Sequence, residues 1–438
     1  MDADVPATNP EDADVPATNP EDTTQLWSEV MAQMASTHQP RAKTLSSDEV
    51  ESEESVAPSG VTKKTTDSYD SDFYEQILSA YGMSYLNEEI APESLLEVHN
   101  IGTMIQLLRS NDEELDEQQQ SLKTKALYLN KLDCWNKQHD CTRITNRFKS
   151  MVNRQVKEMD FLDYAKLSFF CEEEIPDPIP ADGRLVPVRL AENVCIPAGN
   201  KLWKIPPLQG PTPKKPYSWD IRPDCSYGFS LQAFGRMSDT VEKHVVVHEK
   251  TAVCRYLSTE FKKSNIYTEK TAKNQLIIAS SISLYNRFLL KNEARKNMPW
   301  SVDDYKQLRH YGFTFEGSEW KLYCTIPKSS TSEWKKLWCT EPELRGELPA
   351  LSWVGCEMHE VASGNCRFVQ DTRSLLSYLF SVHFWGLYTH AESCRKDIQE
   401  LRDREKLKNQ KLLGFDPDLD MFKMMTKLAL GEGNKDGN

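Results

Sequence analysis

Residues 252–296 dictate more of the fold than any other stretch of this 438-residue chain. Ala252 to Phe261 is a largely apolar run with β-branched and aromatic residues, and it has the length of a strand. Between Glu269 and Lys296, Leu276, Ala279, Ile282 and Leu289, with Ile278, Tyr285 and Phe288, recur at helical spacing. A helix with so broad an apolar surface is expected to pack on the sheet to which that strand belongs. The pair therefore predicts an α/β fold, with a mixed sheet of about four to six strands flanked by helices.

The strand ends in polar chemistry. Residues two apart on a strand point to one face, so Glu260 and Lys262 stand side by side, with Thr259 and Phe261 on the other face. Asp224 precedes a second strand-like run, Ser226 to Leu231. If the two strands pair, Asp224 lies near Glu260. Two carboxylates at one point repel unless a divalent cation cancels their charge. Two carboxylates, a lysine and Mg²⁺ are the equipment for cutting a phosphodiester.

Pro223-Asp224 followed by Glu260-Phe261-Lys262 resembles the motif of the PD-(D/E)XK nuclease superfamily. Within it the pattern is closest to fungal proteins with PD-(D/E)XK nuclease-like domains. There, too, an Arg-Pro-Asp stretch precedes a Glu-Phe-Lys-Lys strand and a later strand hairpin, here Phe313 to Tyr323. The likeness spans roughly residues 150–400. It implies a restriction-endonuclease-like α/β fold and a metal-dependent nuclease acting on nucleic acid, DNA foremost. It further implies that Asp224 and Glu260, with the Phe261 carbonyl, hold Mg²⁺ or Mn²⁺. Lys262 would orient the water and neutralise the phosphate, and Gln275, early in the following helix, would position the lysine or a phosphate. Lys263 with Arg287, Lys291 and Arg295, three cations at i, i+4 and i+8, would contact the nucleic acid. A solvated helix face explains the same three cations. Two readings compete with the nuclease: a nuclease fold that binds nucleic acid or a protein without cutting, and an interaction protein in which these are ordinary surface residues.

Charge is distributed unevenly. Residues 1–75 hold seventeen Asp and Glu against four Lys and Arg, a net charge of −13 that equals the charge of the whole chain. The remainder is neutral in sum, so acidity does not exclude a nucleic-acid partner. Residues 1–70 include a decapeptide, Asp2 to Glu11, repeated word for word as Asp12 to Glu21, and an acidic serine-rich run, Ser46 to Glu54. They predict a disordered tail. Thr24 to Met34 is amphipathic and could dock as a short helix on a protein partner; a transient helix with no partner fits as well. The expected order is then a helical extension (71–175), the nuclease-like domain (176–410), and a C-terminal helix with a frayed tail (411–438).

No apolar run reaches membrane-spanning length and no signal peptide is evident. Eleven scattered cysteines without a CxxC pair suit reduced thiols. Together these point to an intracellular, nuclear or cytoplasmic protein without a membrane partner.

Further expectations concern single segments. Residues 72–108 read as helical, and Leu122 to Lys157 reads as one long helix. Val186 to Leu190 and Lys201 to Ile205 read as short strands, and Val241 to Tyr256 as strand. On a strand, His244 and His248 would sit about 13 Å apart, too far for one ion. His310 to Ile326 reads as a hairpin around Glu316-Gly317-Ser318. Trp334, Trp338 and Trp353 read as packing anchors, and Arg373 to Tyr388 as a helix extending into an exposed charged segment.

Overall fold

In a computed structural model of the chain, seven strands make one mixed sheet among the described residues. They are β1 (Met83–Leu86), β2 (Pro187–Leu190), β3 (Cys225–Ser230), β4 (Ala252–Lys262), β5 (His310–Glu316), β6 (Glu319–Pro327) and β7 (Cys356–Asn365). Across the sheet the order is β1-β7-β6-β5-β4-β3-β2. The description covers residues 68–412 except 87–91, 113–114, 130–139, 171–186, 191–201, 220–221, 249–251, 263–267, 297 and 329–351. All described residues belong to one compact unit, Thr62–Asn438.

The principal helices are α1 (Ile101–Arg109), α2 (Glu117–Leu129), α3 (Cys141–Asn153), α4 (Glu158–Phe169), α5 (Ser238–His244), α6 (Thr268–Ala294), α7 (Val302–Lys306), α8 (Val369–Phe384) and α9 (Ala391–Leu412). A π-helical turn, Trp385–His390, joins α8 to α9. No described helix is long and apolar enough to cross a membrane.

β4 lies inside the sheet and is buried along most of its length, as its apolar sequence requires. It pairs antiparallel with β3 and parallel with β5. A parallel pair needs a crossover, and α6 with α7 supplies it. Glu260 and Lys262 pair with Thr314 and Glu316 on β5, so these four share a face. Gly312 belongs to that face. A Cβ there would come within 2.6 Å of the Leu276 side chain, so the missing side chain lets α6 settle onto the sheet. One apolar cluster gathers Leu276, Ile282, Trp300, Tyr323 and Trp353 about α6. Another gathers Phe148, Phe169, Tyr227, Phe313 and Leu379 with α3, α4 and α8.

Strands β3 and β4, helix α6 and the β5–β6 hairpin form where the sequence places them. Trp353 is a packing anchor, with its ring 4.9 Å from Tyr285 and 5.5 Å from Phe288; Trp334 and Trp338 lie outside the described residues. β2 forms within the expected 186–190 segment, but residues 202–205 make no strand.

Three further expectations fail and a fourth holds only in part. Residues 72–108 are not wholly helical, because Met83–Leu86 joins the sheet beside β7. That strand is only four residues long and follows Gly82 (φ 70°), whose carbonyl accepts a hydrogen bond from the Cys356 N–H at 3.2 Å. The long helix over 122–157 is two, α2 ending at Leu129 and α3 starting at Cys141. Residues 241–256 are not one strand. α5 runs to His244, and β4 begins only at Ala252, after His248 exchanges backbone hydrogen bonds with it at 2.7 and 2.9 Å. The β-branched run Val245-Val-Val247 imitates a strand, but it is a connection between the two. Finally, α9 is exposed only towards its end: Cys394, Asp397, Ile398 and Leu401 are buried, and residues 406–409 face solvent.

Candidate active site

The antiparallel register pairs Cys225 with Thr259, which brings Asp224 level with Glu260 and Phe261. The Asp224 Oδ2 accepts the Phe261 backbone N–H at 2.7 Å. The Lys262 Nζ donates to the Phe261 carbonyl at 2.9 Å and stands 3.9 Å from the Glu260 Oε2. Asp224, Glu260, Phe261 and Lys262 thus meet at one point. The backbone of Phe261 is the hub, with its N–H serving the aspartate and its carbonyl the lysine.

Phe261 can hold that place because its ring is locked on the opposite face. It stacks on Phe315 at 4.9 Å and meets Phe170 edge-on at 6.0 Å. The strand end is fixed by the β5–β6 turn. Gly317 (φ 60°) accommodates the two-residue connection, and its N–H donates to the Lys262 carbonyl at 3.0 Å.

The electrostatics are those of crowded acid groups. Glu260 is 3% exposed, and burial, then the Asp224 charge, pushes its carboxyl well above the usual range. The Lys262 charge opposes this shift without overcoming it. Burial also raises the Asp224 carboxyl, while the Phe261 N–H, Lys262 and Lys166 pull it down. At the rim, Glu316 stands opposite Lys262 in register, and burial followed by the Glu269 charge raises its carboxyl to about 7.

Two contributors escape a sequence reading. Glu158 and Lys166 both lie on α4 and both act on the Asp224 charge, the lysine favouring it and the glutamate opposing it. Their separation of eight residues puts them along one side of a helix, but nothing in the sequence says that this side meets Asp224.

The other expected site residues are Gln275, Lys263 and the basic stripe on α6. Gln275 sits on α6 next to Leu276; its Oε1 is buried and has no hydrogen-bond partner among the described residues. Lys263 lies outside the described residues. The basic stripe is a correction. Arg287, Lys291 and Arg295 do not face solvent as a phosphate-binding edge. The Arg287 Nη2 lies 2.5 Å from the Asp397 Oδ2, and the Lys291 Nζ lies 3.0 Å from Asp304 and 3.4 Å from Asp397. Arg295 pairs with Asp304 and Glu400, each at 3.1 Å. An i, i+4, i+8 stripe looks the same whether it faces water or a second helix. The deciding carboxylates lie on α7 and α9, remote in sequence.

Carboxylate and carbonyl oxygens are hard donors of the kind Mg²⁺ and Mn²⁺ accept. Burial, then the Asp224 charge, raises the Glu260 carboxyl, and a cation would relieve the second of these. The set is small: among the described residues no group of three or more His, Cys, Asp or Glu is arranged for a metal ion.

In comparisons with known proteins, no family model, no curated protein and no solved structure matches the chain.

Proposed function

We propose that the chain is a metal-dependent nuclease of restriction-endonuclease-like fold, hydrolysing phosphodiester bonds in nucleic acid, DNA foremost. The observation that carries the reading is the convergence of Asp224, buried Glu260 and Lys262 on one point of a central strand. Asp224, Glu260 and the Phe261 carbonyl would hold Mg²⁺ or Mn²⁺. When bound, the cation supplies a more acidic water and screens the phosphate charge. Lys262 serves the anion. Its ammonium stands beside the carboxylates and can neutralise a phosphate oxygen drawn to the same point. The Asp224 carboxylate is already oriented by the Phe261 N–H.

A second reading is a nuclease fold that binds without cutting. It is favoured by the hydrogen bond from Lys262 to the Phe261 carbonyl, which occupies an expected metal ligand, and by the burial of the basic stripe. One experiment separates the two. Purified full-length protein is incubated with DNA and with RNA in Mg²⁺ or Mn²⁺, with Lys262→Ala beside it. The nuclease reading expects metal-dependent cleavage by the wild type and none by the variant. Binding without cleavage in either metal supports the second reading, and equal cleavage by both proteins points to a contaminant.

A further inference from the structure

Cys254 is the outlier among the described cysteines: the other six are buried, and it alone is half-buried. It lies near the start of β4, where a bulge interrupts the ladder with β3. Its φ is 51°, a conformation a non-glycine residue keeps only where its surroundings enforce it. It also lines a cavity of about 400 Å³ between α5, β4 and α6, away from the proposed nuclease centre.

A second cysteine meets it. Cys394, in the first turn of α9, is fully buried, and its Sγ accepts a hydrogen bond from the Cys254 thiol. His390 joins the two. Its Nε2 lies 3.4 Å from the Cys254 carbonyl oxygen and 3.6 Å from the Cys394 Sγ. A carbonyl only accepts, so Nε2 carries the ring proton and offers it to both. Arg287 stands beside them, with its Nη2 donating to the neighbouring Ser393 Oγ at 2.6 Å. Burial opposes ionisation of Cys394, but the Cys254 thiol, the Arg287 charge and His390 together outweigh it and hold the Cys394 thiol well below its ordinary range. A thiol buried alone in apolar surroundings is inert; one held by a cation, an N–H and a second thiol is not.

We infer that Cys254 and Cys394 are a redox-active pair, which a peroxide reaching Cys254 through the cavity converts to a disulfide fastening β4 to α9. The Cys254 sulfur attacks the peroxide and the O–O bond breaks. One hydroxyl stays on the sulfur as a sulfenic acid, and the other leaves with the thiol proton as water. The Cys394 Sγ then attacks the Cys254 sulfur, the S–O bond breaks, and the hydroxyl leaves with the second thiol proton as water. Both thiols are oxidised and one peroxide is reduced. Cys394 needs no access of its own, because it meets only the sulfur already in contact with it; the two have only to close to a bond of about 2 Å. The inference does not rest on the nuclease reading.

The test is peptide mapping of the folded full-length protein after hydrogen peroxide treatment. Remaining free thiols are alkylated in denaturant, and the digest is read by mass spectrometry without reduction. The Cys254 and Cys394 thiols should be lost together, with a peptide linking them as the main cross-link, reversed by dithiothreitol. In Cys394→Ser the linked peptide should disappear and the Cys254 sulfenic acid should persist, captured by dimedone. Should that variant fail to fold, dimedone added to the wild type with the peroxide reads the same order, labelling Cys254 and not Cys394. Both thiols alkylated to the untreated extent after peroxide, a cross-link of either to another cysteine instead, or dimedone on Cys394 in place of Cys254 would overturn the inference.

Discussion

At the scale of residues, burial decides the behaviour of Glu260. Its carboxyl is raised in the fold, so the native state keeps a proton that the unfolded chain releases above the ordinary carboxylate range. The stability it contributes is present at low pH and is lost as pH rises towards the folded value. Glu260→Gln keeps the shape and removes the charge. At neutral pH, without divalent cations, it should stabilise the protein by about 1–3 kcal/mol in chemical denaturation, the scale of relieving one poorly compensated buried polar group. A loss of stability would mean that Glu260 is already well compensated. Lys262→Ala is expected to retain cation binding, measured by calorimetry, while losing cleavage by about a hundredfold or more, the scale of removing one group that stabilises transition-state charge. Much of this site was legible: Glu260 and Lys262 share a face because strands alternate, and Asp224 follows from pairing two recognisable strands. Glu158, Lys166 and Glu316 were not legible, because their place depends on how α4 and β5 sit against β4.

At the scale of elements, α6 is held as much by charge as by apolar contact. Arg287, Lys291 and Arg295 lock it to α7 and α9 through Asp304, Asp397 and Glu400. Removing one partner of a buried pair leaves the other charge uncompensated, so Asp397→Ala should destabilise the fold by about 3–5 kcal/mol. Denaturant midpoints check this; a change below about 1 kcal/mol, the worth of a surface pair, would contradict burial of the network. α6 and the β5–β6 hairpin were readable because long helical periodicity and a Gly-Ser turn are local signals. β1 was not readable, because a four-residue edge strand has no periodicity and exists by pairing with β7, far away in sequence. Val245-Val-Val247 shows the converse, β-branched residues overruled by the α5 turn before them and the backbone pairing of His248 after them.

At the scale of the whole molecule, buried His248, His310 and His383 are held strongly neutral, and burial lowers His99 as well. Burial lowers His248 to about 2, and His310 and His383 to about 3. Below the ordinary histidine range near 6.5 the unfolded chain takes up protons that the fold refuses, so their contribution is full above that range and is lost as pH falls. Glu260 and Glu316 act in the opposite sense, since their raised carboxyls bind protons in the fold before the unfolded chain does. That opposition ends near the ordinary glutamate value of about 4.5. Three histidine protons against two glutamate protons leave about one, so stability should fall by about 1.4 kcal/mol per pH unit between about pH 6 and 5, and more steeply below about pH 4.5, by up to about 4 kcal/mol per pH unit, three protons' worth. Urea midpoints across this range would read it, and a flat profile down to about pH 3.5 would refute the assignment.

The central claim is that Asp224 and Glu260 together hold a divalent cation, and titration of Mn²⁺ followed by melting temperature tests it most directly. A ligand that binds only the native state stabilises it by mass action, by about 2.7 kcal/mol at a hundredfold excess over its dissociation constant. The wild type should melt several degrees higher in millimolar Mn²⁺, and more so at pH 8 than at pH 6, because the cation must displace the proton of Glu260. Asp224→Asn and Glu260→Gln should each lose that response while remaining folded. A wild type whose melting temperature ignores Mn²⁺, or a Glu260→Gln protein that responds as strongly as the wild type, would contradict the site.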